Sequence, residues 1–351
     1  MTILGGFAGN ETDSTGRDRE ANKTVLTGDL LGDGSLLSDT LLSIGAGATV
    51  DGIHIGVSDY FGIYVNTSEE VTIEKCTFAN IVDMTRPLYI QNAVVNVNNC
   101  IFSNNKLGFE FGRPLIDITD AAVYINQCLF EKNDPVRYLL NIQGSGTITA
   151  KRCVFYGNYA TKLIETGGNG YLNIYSSIFI QNGGDIDLSS SNPASFDRCT
   201  FYDNNLTKII TQSGLSLSNS IIWWDRADMQ NEKVMEIIAN TTIIKNCNIR
   251  YGQDSIVVWT GANLQYNETT NVAISPDFKK TLSPGGNPLK GCDDILMTSD
   301  DAYSLKSTSQ LRDIGGATLY EETDLTGFSG VWGTYLDIGA YEYQGEADAC
   351  Q

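Results

Sequence analysis

Three groups of residues in this chain have the types and spacing to do chemistry. The first is a set of adjacent acids, Asp293-Asp294, Asp300-Asp301 and Glu321-Glu322. Hydrolysis of a glycosidic bond needs two carboxyl groups across that bond, and elimination needs a base with cations or Ca²⁺ beside it. These acids fall in the C-terminal quarter without Arg, Lys or His company, and the only histidine is His54. They are expected to be solvated charge. The second group is a column of aromatics, Tyr156, Tyr202 and Trp223, with Ile180 between the first two. The third is a line of single cations, Arg86, Arg113, Arg137, Lys162, Lys208 and Lys233, with Asp185-Ile186-Asp187 interrupting it. Aromatic faces stack on sugar rings and cations hold acidic substituents, so the two lines together would suit a repeating polymer. The alternative is that the aromatics stabilise a ladder and the cations relieve Asp83, Glu131, Asp134, Asp203 and Glu232. Asp29 and Asp33, in Gly28-Asp29-Leu30-Leu31-Gly32-Asp33-Gly34, could supply oxygens to Ca²⁺. An ordinary turn would use the same residues, and otherwise no cofactor is expected.

What positions these lines is a repeat. The word Cys-x-Phe recurs at Cys76, Cys100, Cys128, Cys153 and Cys199, with weaker copies at Ser177, Ser220 and Cys247, and successive anchors lie about 24 residues apart. Counting back by 24 from Cys76 lands on Gly52 and Gly28, so about ten units are legible. Within a unit the apolar residues alternate, break and alternate again, as in Val71, Ile73, then Cys76, Phe78, then Leu88, Ile90. Alternation predicts strands with one face buried, and the three-residue step from Ile73 to Cys76 demands a bend. Like strands of a strict repeat stack on one another in parallel. The expectation is an all-β, right-handed parallel β-helix of about ten coils with three short strands each, spanning residues 1–273. Residues 274–351 read as a C-terminal cap or anchor-like region of irregular loops.

At the anchor a small residue is wanted, which makes the six repeat cysteines reduced packing thiols, interchangeable with Ser177, Ser220, Gly28 and Gly52. Stacked parallel strands hold side chains farther apart than a disulfide allows. Cys292 and Cys350 lie outside the repeat and could pair. Recurrent asparagines at 80, 104, 105, 133, 158, 182, 204 and 205 read as a turn ladder.

The chain has 351 residues and a net charge of −19. Such a balance argues against nucleic acid and anionic membranes, whose phosphates select clustered Lys and Arg. No stretch approaches the ~18 apolar residues of a membrane span, and the first residues lack the pattern of a signal peptide. Export would therefore mean that a signal has been removed.

The opening Leu4-Gly5-Gly6-Phe7-Ala8-Gly9-Asn10-Glu11, Arg17-Asp18 and Thr24–Asp29 resembles secreted bacterial right-handed β-helix proteins related to polymorphic outer-membrane protein repeats. Ser275-Pro276-Asp277-Phe278, Tyr303–Ser309, Arg312-Asp313-Ile314-Gly315 and Asp337-Ile338-Gly339-Ala340-Tyr341-Glu342-Tyr343 are similar to the choice-of-anchor β-helix domain of Bacteroidota surface proteins. The resemblance implies export and surface attachment but brings no shared catalytic motif. Ser309-Gln310-Leu311-Arg312 stands where that pattern has a Pro-containing run, and the residues up to Gln351 show no sorting segment. The reading that results is a non-catalytic surface or secreted β-helix, an adhesin stalk or glycan-binding module, whose partner is an extended polysaccharide or cell-surface glycan bound through Tyr156, Tyr202, Trp223, Arg137, Lys162 and Lys208. The alternative is a polysaccharide lyase or glycoside hydrolase of the parallel β-helix type.

Overall fold

Each coil turns on a residue that the strand pattern could not place. Lys75, Asn99, Gln127, Arg152, Ser176, Arg198, Asn219 and Asn246 directly precede the anchors and all have φ between 45° and 54°. One left-handed residue redirects the chain sharply, and this is the bend that the three-residue step requires. A computed structural model describes residues 1–29, 40–58, 60–82, 86–108, 113–205, 208–225, 233–280, 286–316, 323–328 and 331–345. It shows a right-handed parallel β-helix built from three sheets. Sheet A has 11 strands from Thr2–Leu4 to Asn263–Tyr266; sheet B has ten from Thr24–Leu26 to Asn248–Ile249; sheet C has ten from Thr40–Ile44 to Ile256–Val258. Strands pair in parallel between coils, as Ile101–Ser103 does with Thr77–Ala79 on one side and Leu129–Glu131 on the other.

The inside of sheet B is a column of phenylalanines. Phe78, Phe102, Phe130, Phe155, Phe179 and Phe201 stack with ring centroids 4.4–4.9 Å apart and nearly parallel planes. Beside them the six anchor cysteines are buried and unbridged. Their thiols donate to strand carbonyls, Cys100 to Asn98 at 3.4 Å for example. Ser177 fills the same place, where its hydroxyl donates to the Tyr175 carbonyl at 2.7 Å and accepts from the Cys153 amide at 3.0 Å. Gly28 and Gly52 do not. The pairing of His54 with Thr77 sets Ile53 opposite Cys76 and leaves Gly52 at the bend with φ 73°. Thr24 pairs with Ile53, so Gly28 lies past its strand. A bend needing positive φ, rather than an anchor needing small volume, explains Gly52.

The asparagines divide into two jobs. Asn80 and Asn104 sit at the turn after sheet B with φ of 59° and 54°. Asn105, Asn133, Asn158 and Asn182 point inward and form a buried amide chain, each Nδ2 donating to the Oδ1 of the next coil's asparagine at 2.8–3.0 Å, ending on Asn204. Each also donates to a phenylalanine carbonyl, which satisfies the bent backbone.

Beyond Tyr266 the chain leaves the stack and lies along the outside of sheet B. There it builds a second apolar core, with Leu129, Val154, Ile178, Ile180, Tyr202 and Ile221 from the coils against Phe278, Leu305, Leu325, Ile338 and Tyr341 from the cover. Bend residues tie it down: Arg152 donates to the carbonyls of Leu325 and Thr326 at 3.3 and 3.2 Å, and Arg198 to that of Thr323. Asp301 is not solvated charge. It is buried and accepts the Tyr341 hydroxyl at 2.8 Å, while Asp300 caps the Cys292 and Asp293 amides. Glu321 and Glu322 lie outside the described residues. Cys292 is disulfide-bonded, and Cys350 lies outside the described residues.

Candidate functional site

The two lines expected to form one track run on different sheets. Tyr156, Ile180, Tyr202 and Trp223 do form successive rungs, at the outer end of sheet B strands. They are not an open column. Tyr202 is 8% exposed and Ile180 fully buried, because the cover packs on them; Tyr156 and Trp223 are half-buried at its edge. The residue between Cys and Phe also faces out, and Ile101, Leu129, Val154, Ile178 and Ile221 make it apolar in most coils, while Thr200, between the last two, accepts the Ala340 amide of the cover at 3.0 Å. A doubled apolar stripe of that length needs a partner, and the cover supplies it.

Near Trp223 the seam between coil and cover opens again. The Asp225 carboxylate accepts from the Tyr202 hydroxyl at 2.6 Å, the Lys280 ammonium at 2.9 Å and the Trp223 indole at 3.2 Å. Burial alone would raise its pKa, but these donors outweigh it and hold the carboxyl below its ordinary value. Burial, and then the Asp225 carboxylate, push the Tyr202 phenol far up, so it stays a donor.

The cations belong to sheet C. Its strands alternate, with Leu88 and Ile90, Ile116 and Ile118, Leu140 and Ile142 inside. Between each pair one residue faces out, giving the row Tyr64, Tyr89, Asp117, Asn141, Glu165, Asp187. An adjacent row carries Phe61 beside Arg86, and then Pro114, Tyr138, Lys162 and Asp185. Lys208 stands opposite Asp185, its amide donating to that carboxylate at 3.1 Å. Arg137 is one residue off the row, exposed, with its guanidinium 5.0 Å from the Tyr138 ring.

Carboxylates in this face pair with the cations. Arg86 meets Asp117 at 3.3 Å, Lys162 meets Glu165 at 2.6 Å and Asp187 at 2.7 Å, and Lys208 meets Glu236 at 3.0 Å. None of these partners is among the acids expected to relieve the line, of which Asp83 and Glu232 lie outside the described residues. Burial opposes the charge on Lys162, yet the pairs with Asp187 and Glu165 win and keep its pKa above the ordinary value. It is a held cation and a poor proton acceptor. Burial raises the Asp117 carboxyl against the opposing Asn141 amide, which donates at 2.7 Å, and the Arg86 and Arg113 charges. Asp185 is likewise raised by burial. At the N-terminal end the face becomes aromatic, with the rings of Phe61, Tyr64 and Tyr89 stacked 5.2–5.4 Å apart and the Arg86 guanidinium 5.1 Å from Tyr89. What this arrangement can do is offer a ring platform and then a run of hydrogen-bonding groups, one set per coil.

Reasoning from sequence missed Asp117, Asn141 and Glu165, although the alternation around them marks them as outward. It also missed Asp225, Lys280 and Tyr303, which no periodicity brings together. Asp29 is half-buried and Asp33 lies outside the described residues. Among the described residues no three His, Cys, Asp or Glu side chains stand together to hold a metal ion. No helix among them is long and apolar enough to cross a membrane.

A family model described as "right handed beta helix region" matches residues 33–137. Among solved structures the chain is similar to the crystal structure of pectate lyase Pel9A, at 15% identity and a TM-score of 0.45, over 85% of this chain and 72% of that one. No curated protein matches.

Proposed function

We propose that this β-helix is a non-catalytic glycan-binding module, and that an extended, neutral polysaccharide lies along the outer face of sheet C. The observation that carries the reading is the row Tyr64–Tyr89–Asp117–Asn141–Glu165–Asp187, which repeats one ring or polar group per coil at the ~4.8 Å strand spacing, half-buried at Tyr64, Tyr89, Glu165 and Asp187 and buried at Asp117 and Asn141. A polymer parallel to the coil axis meets related chemistry at each step, which a compact metabolite would not use. Stacked rings at one end would take the apolar face of a sugar. Neutral polymer is favoured over the acidic one that a bare line of cations suggests, because Arg86, Lys162 and Lys208 are already neutralised by carboxylates.

We place the protein outside the cell, and the disulfide at Cys292 supports an oxidising compartment. The test is affinity electrophoresis against galactomannan, xyloglucan, xylan, polygalacturonate and alginate, with reducing ends assayed in the same incubations. Retardation by a neutral polymer without release of reducing ends is the expected result. Release that disappears in Asp117→Asn would replace binding with cleavage, by hydrolysis or by elimination, and no retardation by any polymer would leave the coils as a stalk.

A further inference from the structure

At the seam between sheet B and its cover, two adjoining cavities of about 330 and 160 Å³ share Tyr202, Phe278 and Lys280. The larger is walled by Tyr202, Phe278, Tyr303 and Ala302, with Gln181 and Asp203 at its polar side. The smaller adds Trp223 and Asp225. Three rings set edge to face, Tyr202 to Phe278 at 5.3 Å and Phe278 to Tyr303 at 6.1 Å, with Tyr202 also 5.5 Å from Tyr303, make an apolar wall on one side. Polar groups gather on the other.

We infer that this seam is a second binding site, separate from the sheet C face, for a single neutral pyranose ring such as a chain end or side branch. The wall suits the C–H groups of a sugar, which meet apolar ring edges and parts of ring faces there because the neighbouring rings stand edge to face. Among the described residues three donors reach Asp225, and a carboxylate has about four acceptor positions, which gives a ligand hydroxyl one to use. With its side chain 46% exposed, that position can be reached from solvent. Gln181 both donates and accepts, and Lys280 donates, which matches hydroxyls that do both. Charge selects against uronic acids, because Asp203, Asp225 and Asp277 line the two cavities against Lys280 and Lys306, and Lys306 is already paired with Asp277 at 3.2 Å. Size selects against polymer segments: the larger cavity is near the lower end of small-ligand pockets, which run from about 300 to 1,000 Å³.

The site stands on different residues from the proposed polysaccharide track, so either can fail alone. The experiment titrates the protein with the methyl glycosides of glucose, galactose, mannose and N-acetylglucosamine, with glucuronate as an anionic comparator. The readout is the indole N–H resonance of Trp223. At least one neutral glycoside should saturate the shift at millimolar concentration, and glucuronate should bind more weakly than methyl glucoside. Asp225→Asn and Tyr202→Phe should each weaken binding about fivefold or more, while Tyr89→Ala on sheet C leaves it unchanged. Should Asp225→Asn melt earlier than the parent, Lys280→Gln, at a more exposed side chain, carries the test with the same expected loss. The inference is overturned if no neutral glycoside perturbs Trp223 saturably, or if the folded variants bind as the parent does.

Discussion

Sheets B and C are made by the same ten coils, yet their outer faces end differently. On sheet B the outward positions are Leu129, Val154, Ile178, Ile180, Tyr202 and Ile221, and a long loop segment lies on them. On sheet C they are Tyr89, Asp117, Asn141, Glu165 and Asp187, and the cations that meet the carboxylates come from the same sheet. Both faces repeat one residue per coil, so periodicity alone does not mark a ligand track. What separates them is whether the repeated residue can satisfy itself. Stacked apolar side chains gain by being covered, while a ladder of acids, amides and lysines pairs largely within itself, with Asp117 and Asn141 buried and Glu165 and Asp187 half-buried, and stands without a cover.

Breaking what the two faces share should have the largest effect. Phe130 stacks between Phe102 and Phe155 in the interior common to all three sheets. Phe130→Ala should cost on the order of 3–5 kcal/mol in chemical denaturation, and a loss below ~1 kcal/mol would show that the column does not hold the coils. Next comes the covered face by itself. Ile180 is fully buried between coil and cover, so Ile180→Ala should cost about 2–5 kcal/mol and expose residues 286–345 to protease before the coils. Simultaneous cleavage of both would contradict a cover that adds on to a finished solenoid.

A third test uses pH. In the cover, burial pushes the carboxyl of Asp337 up to about 6 and that of Asp301 up to about 8, and burial followed by the Asp337 charge pushes Glu342 up to about 8. An acid whose folded pKa lies above its unfolded value, near 4, binds its proton more tightly when folded. Its contribution is complete below about pH 4 and is lost as pH rises through 6 and then 8. Amide exchange in residues 286–345 should therefore accelerate between pH 5 and pH 9 beyond the intrinsic base-catalysed increase, relative to Val95 and Ile125 in the coils. Equal protection factors at both pH values would refute it. The smallest effect belongs to the open face: Lys208 is paired with Glu236 and its side chain is 35% exposed, so Lys208→Ala should change stability by less than ~1 kcal/mol.

The repeated parts of the fold were legible because Cys-x-Phe sets phase as well as period. From that phase the inward phenylalanines, the unbridged cysteines and the bend before each anchor all follow. The cover was not legible. The apolar residue between Cys and Phe reads as strand interior until a bend places it outside, and residues 274–345 carry no period to align with it. At the candidate site the cations could be found, but not their partners. The coil containing Asp185-Ile186-Asp187 looked like a break in a basic line. Register shifts at Tyr159, Lys162 and Ile164 instead set Asp185 opposite Lys162 and bring Asp187 within 2.7 Å of its ammonium. The shift shortens the step between partners, from Tyr159 and Gly183 to Ile164 and Ile186, and the spacing from Ser177 to Cys199 carries that loss, but spacing alone does not say where along the strand it falls.

The claim that sheet C is the polymer-binding face is tested most directly by hydroxyl-radical footprinting of tyrosines with and without saturating neutral polysaccharide. Tyr64, Tyr89 and Tyr138 lie on sheet C, while Tyr124 and Tyr171, both about half exposed, lie on the outside of sheet A. Polymer should protect the three sheet C tyrosines and leave Tyr124 and Tyr171 as reactive as before. Protection of Tyr124 and Tyr171, or of no tyrosine at saturation, would contradict it.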